Sequence, residues 1–389
     1  MTDSWGIRAR LDDLRERTMY RHRRIIESPL SREVVVGGRR LLNFCSNDYL
    51  GLAGDARIAE AFSGATATWG VGAGASHLIC GHTRAHHELE EALAEFTGRP
   101  RALLFSSGYM ANMGAINGLL TSGDQVFEDR LNHASLLDGG WISRADFHWY
   151  EHGDARDLEK SLGGCASERR KLVVSDGTFS MDGDLCPLED VVSVARQHGA
   201  WVLIDDAHGI GVHGRDGCGL VDARQFSTED VPILVGTLGK ALGTFGAFVA
   251  GSEDLVESLI QRARSYVFTT ALPSAVAVAT LASLRIARSE SWRREKLANH
   301  VARFRRGADE VGLHLLPSSS PIQPVIVGDP AAAVSRSRAL EERGLLVTAI
   351  RPPTVPEGTS RLRITFTAAH EESDVDRLLE ALAEVCGRG

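Results

Sequence analysis

The stretch Trp201-Val202-Leu203-Ile204-Asp205-Asp206-Ala207-His208-Gly209 is an apolar run that ends abruptly in two acids and a histidine. A run this short and this continuous fits a strand buried on both faces. Similar runs lie on either side of it, beginning at Ala102 (ALLF), Lys171 (KLVVS), Val231 (VPILVG) and Gly246 (GAFVAG), with helical patterns between them. That alternation predicts an α/β protein whose large domain, residues 41–288, is a mainly parallel sheet covered by helices. Ligands in such sheets sit outside the carboxyl ends of the strands, where this run places its acids.

Working outward, the character changes after Ala287. A long charged helix over Glu290 to Val311 leads into QPVIVG, a helix near Ala332 to Arg343, GLLVTAI, RLRITF and a final helix. This order predicts a smaller C-terminal α+β domain, residues 289–389. Residues 1–40 read as an N-terminal helical arm, in which Ile7, Leu11, Leu14 and Met19 recur at roughly helical spacing among arginines as far as Arg24.

A chain of 389 residues exceeds what one hydrophobic core supports. Its net charge of −8 argues against a nucleic-acid or anionic-membrane partner. The N-terminus has charges throughout and no apolar segment, which predicts neither secretion nor anchoring, and a cytoplasmic location. The six cysteines (Cys45, Cys80, Cys165, Cys186, Cys218 and Cys386) form no C-x-x-C pair, which suits a reducing compartment and predicts no structural metal.

Val235-Gly236-Thr237-Leu238-Gly239-Lys240-Ala241-Leu242-Gly243 follows an apolar strand and sets one lysine among small residues. A lysine that forms an imine must lose its proton near neutral pH, which desolvation favours, and glycines let a planar ring and a phosphate come close to the backbone. A surface lysine in a glycine-rich loop would show the same spacing. An acid at the end of the 201–205 strand can pair with a protonated pyridine nitrogen; for Asp206 the competing role is a helix cap. Ser106-Ser107-Gly108-Tyr109 opens a helix straight after a strand, which presents free backbone N–H groups to a phosphate. His133 could lie over a ring or merely cap a helix.

The segments SSGYMAN, DRLNHASL, SDGTFSMDGD, IDDAHGIGVHG and GTLGKALG, in this order, strongly resemble the α-oxoamine synthases. These are pyridoxal-phosphate transferases of fold type I that condense an amino acid with an acyl thioester and release carbon dioxide. The resemblance runs from LLNFCSNDYLGL at Leu41 to RLRITFTAAHEESDVDRLL near the end. Within the family, the stretch from Val347 to Arg363, with Ile350-Arg351-Pro352-Pro353-Thr354-Val355-Pro356, is most similar to the member that joins L-alanine to a pimeloyl thioester in the biotin pathway.

The resemblance implies pyridoxal 5'-phosphate held by Lys240, which also moves the substrate proton. It pairs Asp205 with the ring nitrogen, sets His208 and Ser180 on the ring-hydroxyl side and stacks His133 on the ring face. Gly108, Tyr109 and Thr237 take the phosphate. It implies a homodimer with active sites at the interface, in which Thr269 or Thr270 reaches the other chain's cofactor. Arg351 binds the alanine carboxylate, Asn47 lies near it, and Arg21 and Thr354 lie on the acyl side, where coenzyme A or an acyl carrier protein delivers the thioester. His77 stands where many relatives have arginine, in the string Gly70-Val-Gly-Ala-Gly74, which reads as a tight turn.

Two other readings compete. One is a sister synthase that uses glycine, such as a glycine C-acetyltransferase. The other is a metallohydrolase with Asp205, Asp206, His208 and His213, or His86, His87 and Glu88, as ligands. Adjacent histidines point to different sides of a helix, so His86 and His87 make a poor pair.

Overall fold

A computed structural model of the protein describes residues 5–165 and 168–386. The chain divides into two units: one comprises Asp48–Ser180 and Asp184–Glu295, the other the chain up to Asn47, Met181–Gly183 and the chain from Lys296 on.

The larger unit is built on seven strands: β3 (Arg101–Phe105), β4 (Gln125–Asp129), β5 (Asp146–Tyr150), β6 (Lys171–Asp176), β7 (Trp201–Asp205), β8 (Ile233–Thr237) and β9 (Ala247–Gly251). Their order across the sheet is β3-β9-β8-β7-β6-β4-β5. The pairs β4·β5, β4·β6, β6·β7 and β7·β8 are parallel, whereas β9 runs antiparallel to both β8 and β3. Six of the seven strands therefore point the same way, and β9 alone is reversed. The strands β4, β6, β8 and β9 are buried at every position, as expected of strands covered on both faces. The core between the sheet and its helices packs Val174, Leu203, Val235 and Val249 with Ala115, Ile116 and Leu259.

The smaller unit has two three-stranded sheets. One joins β1 (Glu33–Val36), β2 (Arg39–Asn43) and β11 (Leu345–Leu346); the other joins β10 (Ile322–Gly328), β13 (Ser360–Thr365) and β12 (Thr348–Ile350). The helices Pro330–Glu342 and Glu372–Cys386 belong to the same unit.

The N-terminal region differs from the helical arm expected over 1–40. Its helix spans only Ile7–Glu16 and buries no residue. Thr18 adopts a left-handed conformation (φ 57°), and the N–H groups of Met19 and Tyr20 both donate to the Leu14 carbonyl, which closes the helix end. Further on, Val34-Val35-Val36 and Arg39-Arg40-Leu41 form a hairpin across Gly37-Gly38, both with positive φ, and β2 pairs in parallel with β11. This pairing ties residues up to Asn47 to the C-terminal unit.

Candidate active site

In the larger unit, the carboxyl ends of neighbouring strands bring together residues far apart in sequence. Lys240 lies in the loop between β8 and the reversed β9. The loop is braced by Leu238 N–H to Gly246 O (2.9 Å), Thr244 N–H to Leu238 O (2.9 Å) and Gly243 N–H to Lys240 O (2.8 Å). Gly243 has a positive φ of 63°, and a Cβ there would stand 2.4 Å from the Ala53 nitrogen; glycine is therefore required by both conformation and space.

Lys240 Nζ lies 2.8 Å from His208 Nε2, and the other ring nitrogen, Nδ1, lies 2.6 Å from the Tyr49 hydroxyl. Tyr49 and His208 are buried. The tyrosine therefore fixes the orientation of the ring that His208 presents to the lysine.

Asp205 ends β7 and is also buried. One of its oxygens accepts from Asn112 Nδ2 (2.7 Å), the other from the Ala207 N–H (3.0 Å). Asn112 lies one turn into the helix Gly108–Leu119 and donates as well to Ser135 Oγ at 2.8 Å. The adjacent Asp206 has a different environment. Its side chain accepts from the Leu220 N–H (2.6 Å), a Cβ on Gly209 would fall 1.9 Å from its Oδ1, and burial pushes its carboxyl up to about 8. Two acids adjacent in sequence thus face opposite ways from the strand end, and Asp206 packs against the turn that follows it.

His133 caps the helix Ala134–Ile142, its Nδ1 2.7 Å from Ser135 Oγ. Its backbone N–H donates to Asp176 Oδ2 at 2.6 Å, and the Asp176 N–H in turn donates to Asn132 Oδ1 at 3.0 Å. Desolvation lowers the His133 pKa and Lys240 lowers it further, while Asp205 opposes both. Burial, with Asp205 nearby, raises Asp176 well above the carboxylate range.

The helix Gly108–Leu119 begins directly after β3, capped by Ser107 Oγ, which accepts from the Met110 N–H (3.3 Å). A Cβ built on Gly108 meets nothing within 4 Å, so the helix start is open at this residue, and free amides at a helix start suit an anion. Tyr109 is exposed, with its hydroxyl donating to Asp138. Thr237 ends β8, and its hydroxyl donates to Gly246 O at 3.1 Å. Ser180 follows the turn in which the Phe179 N–H donates to Asp184 O (3.0 Å). Thr269 and Thr270 follow the short helix Arg264–Val267 on an accessible stretch.

The smaller unit brings together three of the four residues expected to bind substrate. Arg21, Arg351 and Thr354 line one cavity of about 840 Å³ with Arg24, Arg39 and Arg338. Arg21 Nη2 donates to Thr354 Oγ1 at 3.2 Å, and Arg351 donates to the Thr18 carbonyl. Desolvation and the neighbouring Arg21 charge lower the Arg351 pKa. The peptide between Pro352 and Pro353 is cis. Asn47, the fourth, instead accepts from both terminal nitrogens of the buried Arg363 at 3.3 Å.

The ligand sets weighed for a metallohydrolase are not assembled. Among the described residues, the one group of three or more side chains with metal-ligating spacing is His82, His87 and Glu90, which includes neither Asp205, Asp206 and His208 nor Glu88. His86 is buried, its Nε2 donating to the Leu272 carbonyl. Tyr49, Asn112 and Asp176 are the members of the site that sequence reasoning missed. Asn112 alone left a trace, as a polar residue on the buried face of a helix otherwise lined by small and apolar side chains.

A lysine amine paired with a histidine, with a buried carboxylate and a helix N-terminus also at the strand ends, is an arrangement suited to an α/β enzyme. A family model described as aminotransferase class I and II matches residues 39–382, and the chain belongs to that family. The 8-amino-7-oxononanoate synthase of Methylococcus capsulatus is 59% identical over 374 residues, which cover 96% of each chain. Among solved structures, a serine palmitoyltransferase from S. paucimobilis with a bound PLP–myriocin aldimine superposes with a TM-score of 0.92 at 32% identity, covering 98% of this chain and 96% of that one. The 8-amino-7-oxononanoate synthase of Francisella tularensis superposes with a TM-score of 0.78 at 28% identity, covering 88% of this chain and 97% of that one. The fold is that of the pyridoxal-phosphate-dependent aminotransferases of this class. No described helix is long and apolar enough to cross a membrane.

Proposed function

We propose that this enzyme condenses L-alanine with a pimeloyl thioester to give 8-amino-7-oxononanoate, the free thiol and carbon dioxide, using pyridoxal 5'-phosphate. The observation that carries the chemistry is the Lys240 amine at 2.8 Å from His208, beside Asp205 at the strand ends. The near-full-length likeness to the Methylococcus synthase carries the choice of substrates.

When bound, the cofactor supplies an aldehyde that joins an amine and a ring that accepts the electron pair left when a bond to the amino-acid α-carbon breaks. Lys240 would hold the cofactor, and as a free amine it would remove the α-proton of alanine and return a proton to the same carbon. Asp205, fixed by Asn112 and the Ala207 N–H, keeps a proton on the ring nitrogen. His208, oriented by Tyr49, and Ser180 serve the ring hydroxyl. His133 covers the ring face, its backbone pinned by Asp176. The Gly108 and Tyr109 amides and Thr237 hold the phosphate.

Arg351 takes the alanine carboxylate, as a planar guanidinium with two parallel donors is suited to do, and Asn47 serves the same group. Arg21 and Thr354 serve the acyl substrate, delivered by coenzyme A or an acyl carrier protein. The enzyme acts in the cytoplasm as a homodimer, with Thr269 or Thr270 supplied to the other chain's cofactor.

The structural likeness to a serine palmitoyltransferase favours a second reading, in which serine and a long acyl thioester are the substrates; a glycine-using synthase is the third. Steady-state rates with alanine, serine and glycine, each against pimeloyl, acetyl and palmitoyl thioesters, separate them. Alanine with the pimeloyl thioester is expected to give the highest kcat/KM, and a preference for serine with palmitoyl thioester would refute the assignment.

A further inference from the structure

The segment preceding the helix Arg84–Thr97, and the first turns of that helix, carry four histidines that the proposed chemistry does not use: His77, His82, His86 and His87. They differ sharply in what their nitrogens do. His86 uses both, Nδ1 accepting from the Thr83 N–H (3.0 Å) and Nε2 donating to Leu272 O (2.7 Å). His77 is buried, stacks on Tyr266 with ring centroids 4.9 Å apart and meets His82 Nδ1 with its own Nδ1 at 3.0 Å. When His82 donates that hydrogen bond, its lone pair is on Nε2, and this atom lies 4.0 Å from Glu90 Oε2.

Glu90 is buried, with its other oxygen held by the Leu104 N–H at 3.0 Å. His87 lies three residues before it on the same helix, so both project to one side. One ligand atom from each of His82, His87 and Glu90 lies within 4.8 Å of the others.

We propose that His82, His87 and Glu90 bind one divalent transition-metal ion of the zinc class, which fastens the His77–Gly81 turn to the helix behind it. Two imidazoles and a carboxylate are a donor set that zinc accepts, with water completing a tetrahedron at bond lengths of about 2.0–2.2 Å. Tetrahedral donors at such lengths stand about 3.4 Å apart, so the widest pair, within 4.8 Å, must close by up to about 1.4 Å. The half-exposed His87 side chain can supply that movement by leaving its 3.4 Å contact with the exposed Glu91.

Three features favour the bound state. His77 acts behind His82 as the outer partner that fixes a metal-binding imidazole. Glu90 is buried and spends only one oxygen on the Leu104 N–H, so a cation at the other oxygen offsets the desolvation of its carboxylate without displacing that bond. The outer side of the turn that supplies His82 is open, with Leu78, Ile79 and Cys80 exposed between the buried His77 and Gly81, so an ion can reach the site.

The test is a zinc titration of the cofactor-loaded, full-length protein after chelator treatment, read by competition with a chromophoric chelator and independent of turnover. One zinc per chain is expected. His87→Ala, which removes an exposed side chain, is expected to weaken binding by about tenfold or more, as is Glu90→Gln; Cys80→Ser is expected to leave it unchanged. The absence of saturable binding, binding unaltered in His87→Ala, or binding lost in Cys80→Ser would each overturn the site.

Discussion

The lysine site of the larger unit and the arginine cavity of the smaller one are built on opposite plans. Around Lys240, itself half-buried, most of the polar groups are buried, His133 being the exposed one, and they answer one another directly: Tyr49 to His208, His208 to the lysine, Asn112 to Asp205, Asp176 to His133. Around Arg351 the cations are exposed or half-buried and lean on backbone carbonyls and single hydroxyls, as Arg351 does on Thr18 and Arg21 on Thr354. A buried network keeps proton-moving groups in register and costs desolvation that only complete pairing offsets. A wet cluster of guanidinium groups can re-aim toward an incoming anion at little cost. The first plan suits chemistry, the second recognition.

Substitutions in the two regions should therefore fail differently. The largest effect belongs to Lys240→Arg: arginine stays protonated and cannot remove a proton, so turnover should fall by at least about 10²–10⁴-fold while the protein still folds. Full activity in that variant would break the contrast at its centre.

Arg351→Lys keeps the charge but loses the paired donors, so the KM for alanine should rise about tenfold or more with kcat much less affected. A fall in kcat at unchanged KM would instead place Arg351 in the chemistry. The smallest effect is expected of Tyr49→Phe, which deletes one hydrogen bond to a ring nitrogen of His208. A roughly tenfold loss in kcat, with a displaced pH–rate profile, is predicted. If the profile does not move, Tyr49 is packing alone.

Much of this was legible in the chain. The apolar runs at Lys171, Ala200 and Val231 are strands because continuous β-favouring apolar segments of that length have nowhere to be but inside a covered sheet. Lys240, Asp205 and the Gly108 helix start were readable because each sits at a strand end with a local signature. Tyr49 was not: its partner lies 159 residues away, and nothing near it in sequence requires a hydroxyl. The same holds for Arg32 and Asp374, which pair across 342 residues. The hairpin over Val34 to Leu41 had a signal, the Gly37-Gly38 pair between apolar runs, but the helical spacing of Ile7, Leu11, Leu14 and Met19 suggested a single arm extending over it.

The central claim is that Lys240 carries the cofactor. The most direct measurement is the visible and near-ultraviolet absorbance spectrum of the purified protein supplied with pyridoxal phosphate, before and after borohydride, followed by peptide mapping. An imine band that borohydride abolishes, leaving a reduced adduct on the peptide containing Lys240, is the predicted result. A spectrum with no such band, or an adduct on another lysine, would contradict it.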